Sequence, residues 1–292
     1  RPDDFGEAAN DPLALLPLGT VEPLAISGES YKLAFTPGLI TAVYGDRVSD
    51  TILETEGRYV HTEGENGWWI PSGRVFLSPG APDTPVQEFA YARQHFFLPH
   101  RYHDPFHTNE VSTETFVSYD AYDLLTLETR DALGNRTTAG ERDSSGAVTR
   151  AGNDYRVLQP WLLMDPNRNR TAVAFDALDM VAGTAVMGKQ APAPVEGDSL
   201  EGFLPDLDQG QIDAFFADPK GPVAATLLAG ATTRIVYDVD RYYRLGDVAN
   251  PTYAATLARE THLSDPLPQT GPGELVLKIQ VGISYSDGFG RE

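Results

Sequence analysis

The stretch YDAYDLLTLETRDALGNRTT, residues 119–138, opens on an aromatic-Asp pair, Tyr119 and Asp120, and closes on a turn-rich segment, DALGNRT, residues 131–137. Aromatic, aliphatic and β-branched residues suit one buried face of a strand. Asp131 can start a turn because its carboxylate accepts a backbone amide two residues on. Gly134 and Asn135 tolerate positive φ, and β-branched Thr137 re-enters a strand. One such hairpin would say little, but it is echoed. FDALDMV, from Phe175-Asp176, repeats the pattern of YDAYDLL, and DPNRNRT, from Asp165 through Asn169, repeats DALGNRT. Looser echoes begin at Asp104 (DPFHTNE), Tyr237-Asp238 (YDVDRYYRL) and Tyr285 (YSDGFGRE). Units of strand, turn and strand cannot bury a face alone, so they join into an extended sheet. Tyr119, Phe175, Tyr237 and Tyr285 are expected to pack inward. Asp131, Asn135, Asp165 and Asn169 are expected to fix the turns.

The rest of the chain reads as mainly β. Leu277, Ile279, Val281, Ile283 and Tyr285 alternate along one strand face. TTRIVYDV (232–239) and TAVAFDALDMVAGTAVMG (171–188) are strand-like, and YKLAFTPGLITAVYGDRV (31–48) reads as two strands broken at Pro37-Gly38. Short helices are expected from Thr84-Pro85 to about Gln94, after an Asp208–Gln211 capping box, and over Val223–Leu228, the last two forming a helical insertion near 208–230. Residues 139–153, 188–197 and 263–273 read as loops. A soft boundary falls near residue 100, giving an N-terminal β-rich segment (1–100) and a repeat segment (101–292).

The chain has 292 residues and a formal net charge of −20, with 42 acids against 22 bases. A surface this negative repels phosphate backbones and anionic lipid headgroups, so nucleic acid is excluded as a partner. No apolar run approaches the ~18–20 residues that span a bilayer, and direct membrane insertion is not expected. There is no cysteine, which removes disulfides and thiol chemistry. No signal peptide is read in this chain, and Arg1 at the start and the abrupt end at Glu292 read as a piece cut from a longer protein, so that targeting information is expected to lie outside it.

Here the quoted segments carry a resemblance. Tyr-Asp units ending in Asp-x-x-Gly-Asn-Arg-Thr resemble the YD repeats of Rhs proteins. LAFTPGLITAVYGDRV, GRYVHTEGENGWWIPSGRVFLSP, ARQHFFLPHRYHDPF and NDYRVLQPWLLMDPNRNRTAVAFDALDMVAGTAVMGK resemble the B component of bacterial insecticidal toxin complexes (Tc toxins), in the region after its β-propeller. Three positions depart from the pattern: His107, Arg168 and Asp179 stand where Gly is usual. The resemblance implies an extended, spiralling antiparallel sheet of Rhs type with a few short helices. It implies a secreted, non-catalytic part of a hollow shell that encloses the cytotoxic C-terminal polypeptide of the C component. The A-component pore would be an indirect partner, reached through the rest of the B protein. The family's self-cleaving aspartates belong to the C component and are not matched here, and no cofactor is implied.

Other chemistries fit these residues less well. His95, His100, His103 and His107 cluster beside Asp104, but their spacing fits no metal signature. Asp165, Asn167, Asn169 and Asp176 mimic a calcium loop whose required Gly is Arg170, so turn chemistry is favoured. Trp68 and Trp69 are packing residues or, in the alternative reading of a stand-alone carbohydrate-binding β domain, a sugar platform. No Gly-x-Ser-x-Gly elbow or His-Glu-x-x-His motif occurs. Acid pairs such as Glu63 and Glu65, or Asp120 and Asp123, arise by chance among so many acids, and the chain is expected not to be an enzyme.

Overall fold

Antiparallel pairing of short strands organises both parts of the chain. The computed structural model describes residues 28–62, 64–190, 192–246, 250–266 and 277–286, with 13, 14, 16, 20 and 26 and the backbone of 269–271 and 274–275. Glu63 and the end of YSDGFGRE, residues 287–292, lie outside the described residues, as does most of the 263–273 loop. Two compact units divide at Arg136/Thr137 rather than near residue 100. The first repeat strands pair with the strand at Arg101–His103, so the repeats begin inside the first unit.

In the first unit, β1 (Tyr31–Phe35) is followed by α1 (Pro37–Val43), where the sequence suggested a second strand. Thr36 accepts the Leu39 amide through its hydroxyl and Pro37 occupies the first turn, a start signal that outweighs the β-branched residues behind it. β2 (Trp68–Pro71) pairs with β1. β3 (Arg74–Phe76) precedes α2 (Pro85–Gln94), which opens with a Thr84–Gln87 capping box as expected. β4 (Arg101–His103), β5 (Thr115–Tyr119) and β6 (Thr126–Arg130) then form an antiparallel meander with β3 at its start.

The second unit carries β7 (Arg136–Arg142), β8 (Val148–Ala151), β9 (Asn153–Asp154), β10 (Gln159–Pro160), β11 (Leu162–Met164), β12 (Arg170–Phe175) and β13 (Val181–Met187). Residues 139–153, expected as a loop, are the β7–β8 hairpin. α3 (Gln209–Ala217) and α4 (Pro222–Leu228) form the anticipated helical insertion. β14 (Thr233–Asp238), α5 (Arg241–Leu245), β15 (Thr252–Arg259), two short strands β16 (Gln269–Gly271) and β17 (Glu274–Leu275), and β18 (Ile279–Ser286) complete it. The sheet runs β7-β11-β12-β13-β14-β15-β18.

Its core lies where α3 and α4 cover β14, β15 and β18. The register sets Val236, Ala255 and Ile283 in one row and Leu257 and Val281 in the next. Phe215, Leu227 and Leu228 of the helices pack onto them. Tyr285 shares the row of Asp238 and Tyr253, yet it stays 43% exposed, which corrects its expected inward packing. It sits at the end of β18, beyond the helices that cover Ile283 and Val281. The protein is thus mainly antiparallel β with a few short helices.

Because Leu228 is fully buried and Leu133 is 88% exposed, Leu228→Ala is expected to cost about 2–5 kcal/mol. Leu133→Ala should stay within about 0.5 kcal/mol of the parent. Denaturant unfolding of the two variants checks the contrast.

Candidate functional site

The repeat motif resolves into one turn used again and again. At Asp131, carboxylate Oδ1 accepts the amides of Leu133 (2.9 Å) and Asn135 (2.8 Å), while the Asp131 carbonyl accepts the Gly134 amide (3.0 Å) and the Asp131 amide donates to the Asn135 carbonyl (3.0 Å). Asn135 Nδ2 adds a bond to the second carboxylate oxygen at 2.8 Å. Gly134 is left-handed, at φ 82°. This is a type I turn followed by a left-handed residue, a three-residue hairpin connection whose bulge matches strand twist.

Asp143, Asp165 and Asp176 build the same turn. Their carboxylates accept the amide of the fourth residue on, Ala147 at 3.0 Å, Asn169 at 2.7 Å and Met180 at 2.9 Å. At Asp165 the side-chain amide of Asn169 also reaches Oδ2, at 3.1 Å. Asp120 builds a form one residue longer, accepting Leu124 and Leu125. The aromatic-Asp pairs are therefore strand ends running into turns. Tyr119 and Phe175 close β5 and β12, and Asp120 and Asp176 begin the connections.

The fourth position of these turns is left-handed throughout: Asp123, Gly134, Gly146, Arg168 and Asp179. Where it is not glycine, the side chain is engaged. Asp123 bonds His95 Nδ1 at 3.0 Å, Arg168 donates to Gln190 Oε1 at 3.1 Å, and Asp179 pairs with Arg156. These contacts offset the roughly 1–2 kcal/mol that a Cβ costs in this conformation. His107, the third departure, does not adopt it, and the Asp104 turn runs on into a longer connection.

Hydrogen bonds from Asn135 and from the amides of its own turn hold the Asp131 carboxyl below the usual carboxylate range, and Ser145 and the Asp143-turn amides do the same for Asp143. Their stabilising effect is therefore present above the ordinary carboxylate value of ~3.9 and lost as pH falls below it.

Asp238 plays a different part. Its carboxylate is fully buried at the end of β14 and receives Arg244 Nη2 at 2.8 and 3.0 Å and Arg241 Nη1 at 3.3 Å. Arg241 lies over the Phe216 ring at 4.0 Å. YDVDRYYR thus encodes a clamp of α5 on the sheet rather than a turn. Tyr237 donates its hydroxyl to the Val181 carbonyl and Tyr119 to that of Pro99, each at 3.0 Å, and both are half-buried. Asp198, which the sequence did not single out, is a second hub. Fully buried, it accepts His262 Nδ1 (2.8 Å), the Leu263 amide (2.7 Å) and the Thr232 hydroxyl, with Arg259 Nε at 3.5 Å. Burial pushes this carboxyl up, but those donors win and hold it low. Burial also brings the Arg234 guanidinium down to about 10, so it stays charged at neutral pH while donating to the Leu204 and Pro205 carbonyls.

Trp68 is 4% exposed and its ring lies 3.9 Å from that of His61, and Trp69 is half-buried in the same strand. Trp68 is taken up by packing, so the two indoles do not form an exposed pair. Asp120 and Asp123 do not face each other as an acid–base pair, since backbone amides hold one and His95 the other. A shallow groove of about 620 Å³ in the second unit is floored by Leu163, Val186 and Met187. Among the described residues no cluster of three or more His, Asp or Glu side chains is set to hold a metal.

Two crystal structures of Tc toxin complexes, TcdB2-TccC3-Cdc42 and TcdB2-TccC3-TEV, share the fold with TM-scores of 0.56 and 0.55 at 18% identity. Each match covers 94% of this chain and 14% of the other. No protein-family model and no curated protein matches the chain. The fold is that of a segment of a Tc toxin B/C-type assembly.

Three outcomes are expected. A Cβ at Gly134 would meet open space, so Gly134→Ala should lose about 1 kcal/mol from φ alone, and Asp165→Ala should lose roughly 1 kcal/mol from its broken amide bonds; an unchanged melting transition would sink either role. Asp238→Ala, which strands two arginines, should cost more, about 3 kcal/mol, the low end for a broken buried pair because Arg244 keeps contact with solvent, measured in the same way.

Proposed function

We propose that this chain is a non-catalytic wall segment of a Tc toxin B component. Its role is containment: a stretch of hollow shell that keeps the cytotoxic C-terminal polypeptide of the C component from solvent and proteases. The shell partner and payload are the C component. The A-component pore is met only through the rest of the B protein, and the assembly acts outside the producing cell. The observation that carries this reading is the fold likeness across 94% of the chain to two TcdB2-TccC3 complexes of which it spans only 14%.

The side-chain chemistry supports the same role. The carboxylates of the repeat are spent on backbone amides, and Asp238 and Asp198 on cations and a hydroxyl, so each secures a connection of the sheet. A wall needs many hairpins that hold their register with few residues per turn, and a turn closed by its own carboxylate supplies that locally.

Co-expression of the longer protein carrying this chain with its C partner tests the proposal by limited proteolysis. The partner's C-terminal polypeptide is expected to resist protease in the complex. That resistance should vanish when residues 119–188 are deleted while the two proteins still co-purify. Equal resistance with and without the segment would contradict a wall role.

A further inference from the structure

The connection between β4 and β5 holds a pair of histidines that the containment role does not use. The His103 and His107 rings stack nearly parallel, with centroids 3.5 Å apart and planes 13° from each other. His103 Nε2 lies 3.0 Å from Glu114 Oε1, which also accepts from Arg101 Nη1 at 2.5 Å. On the other side, His103 packs against Phe76 of β3, the ring over which Arg74 and Arg101 lie. His107 Nδ1 accepts the backbone amide of Thr113 at 3.1 Å. Together with the Asp104 amide donating to the Thr113 hydroxyl at 3.3 Å, that bond draws the two ends of the connection together.

An imidazole nitrogen that accepts an N–H must carry a lone pair. His107 is therefore neutral in this arrangement, with its proton on Nε2. A second proton would sit on Nδ1 and point at the Thr113 N–H, so the bond could not survive. It would also place a cation face to face with His103, on which Arg101 already acts. The nearby negative groups are spoken for: Glu114 by Arg101 and His103, and Asp104 Oδ1 by the Phe106 amide at 2.8 Å.

We propose that the Asp104–Glu114 connection is an acid-released latch, with His107 as its trigger and the stacked His103 as the neighbour that sharpens it. Above the histidine range the latch is shut, and protonation opens the end of the β4–β5 pair. The direction of linkage agrees for the neighbour. Burial lowers the His103 pKa, and His107 lowers it further against the opposing pull of Glu114. A histidine depressed in the folded state stabilises fully above its unfolded value of ~6.5, and that stability is lost as pH falls through and below it. The latch is independent of the containment reading, because it concerns one connection and not the enclosed partner.

The test is an NMR titration of the intact chain from pH 7.5 to 5.0, following the His107 ring nitrogens and the Thr113 amide. At pH 7.5 the proton of His107 is expected on Nε2. Thr113 exchange, corrected for its intrinsic pH dependence, should speed up by about tenfold per pH unit once His107 titrates. His107→Asn, whose amide oxygen can accept the same N–H but cannot titrate, should keep Thr113 protected across the range. A proton on Nδ1 at pH 7.5, or corrected exchange that is the same at both ends of the titration, would overturn the latch.

Discussion

One carboxylate oxygen accepting the backbone amide of the fourth residue after it, joined at Asp131, Asp143 and Asp176 by the amide of the second, is the interaction on which the sheet depends. It closes a three-residue connection without help from the rest of the protein. The turn therefore sets strand register locally, and each hairpin can be added to the last without a long-range contact to align it. The constraint that comes with it is the left-handed residue just before the strand resumes. Glycine meets it freely at 134 and 146, whereas Asp123, Arg168 and Asp179 meet it while their side chains bond across to His95, Gln190 and Arg156. Conformational cost and side-chain contact thus fall at the same residue.

A second class of carboxylate is buried and gathers donors from different parts of the chain. Asp238 gathers Arg241 and Arg244 beneath α5, and Asp198 gathers His262, Arg259 and Thr232 between the start of β14 and the end of β15. Buried carboxylates of this kind require full pairing, and both have it. A net charge of −20 therefore understates how the acids are used. Many of them are turn closers and clamps whose oxygens are aimed at backbone amides and at arginines.

The β class, the helical insertion and the paired turns at Asp131 and Asp165 were legible in the sequence because each has a local cause: alternation, a capping box, an Asp followed by Asn. What the sequence obscured has physical reasons too. Residues 37–43 are β-branched enough to pass for a strand, yet Thr36 and Pro37 start a helix. The DSSGA turn at Asp143 lies among small polar residues that look like loop, although its Gly146 stands in the same place as Gly134. Asp238 follows an aromatic as Asp120 and Asp176 do, but two arginines downstream turn it into an ion-pair partner. Asp198 was invisible because its donors come from residues 232, 259, 262 and 263, and such convergence leaves no local pattern.

Residue-resolved amide exchange at neutral pH tests most directly whether the aspartate-closed turn holds the sheet. The decisive amides are those of Asn135, Ala147, Asn169 and Met180, each aimed at its aspartate four residues earlier. All four are expected to exchange on the order of 100-fold more slowly than the exposed turn-tip amides beside them. Exchange as fast as the tips at these positions would show that the turns are not closed by their aspartates and would contradict the account.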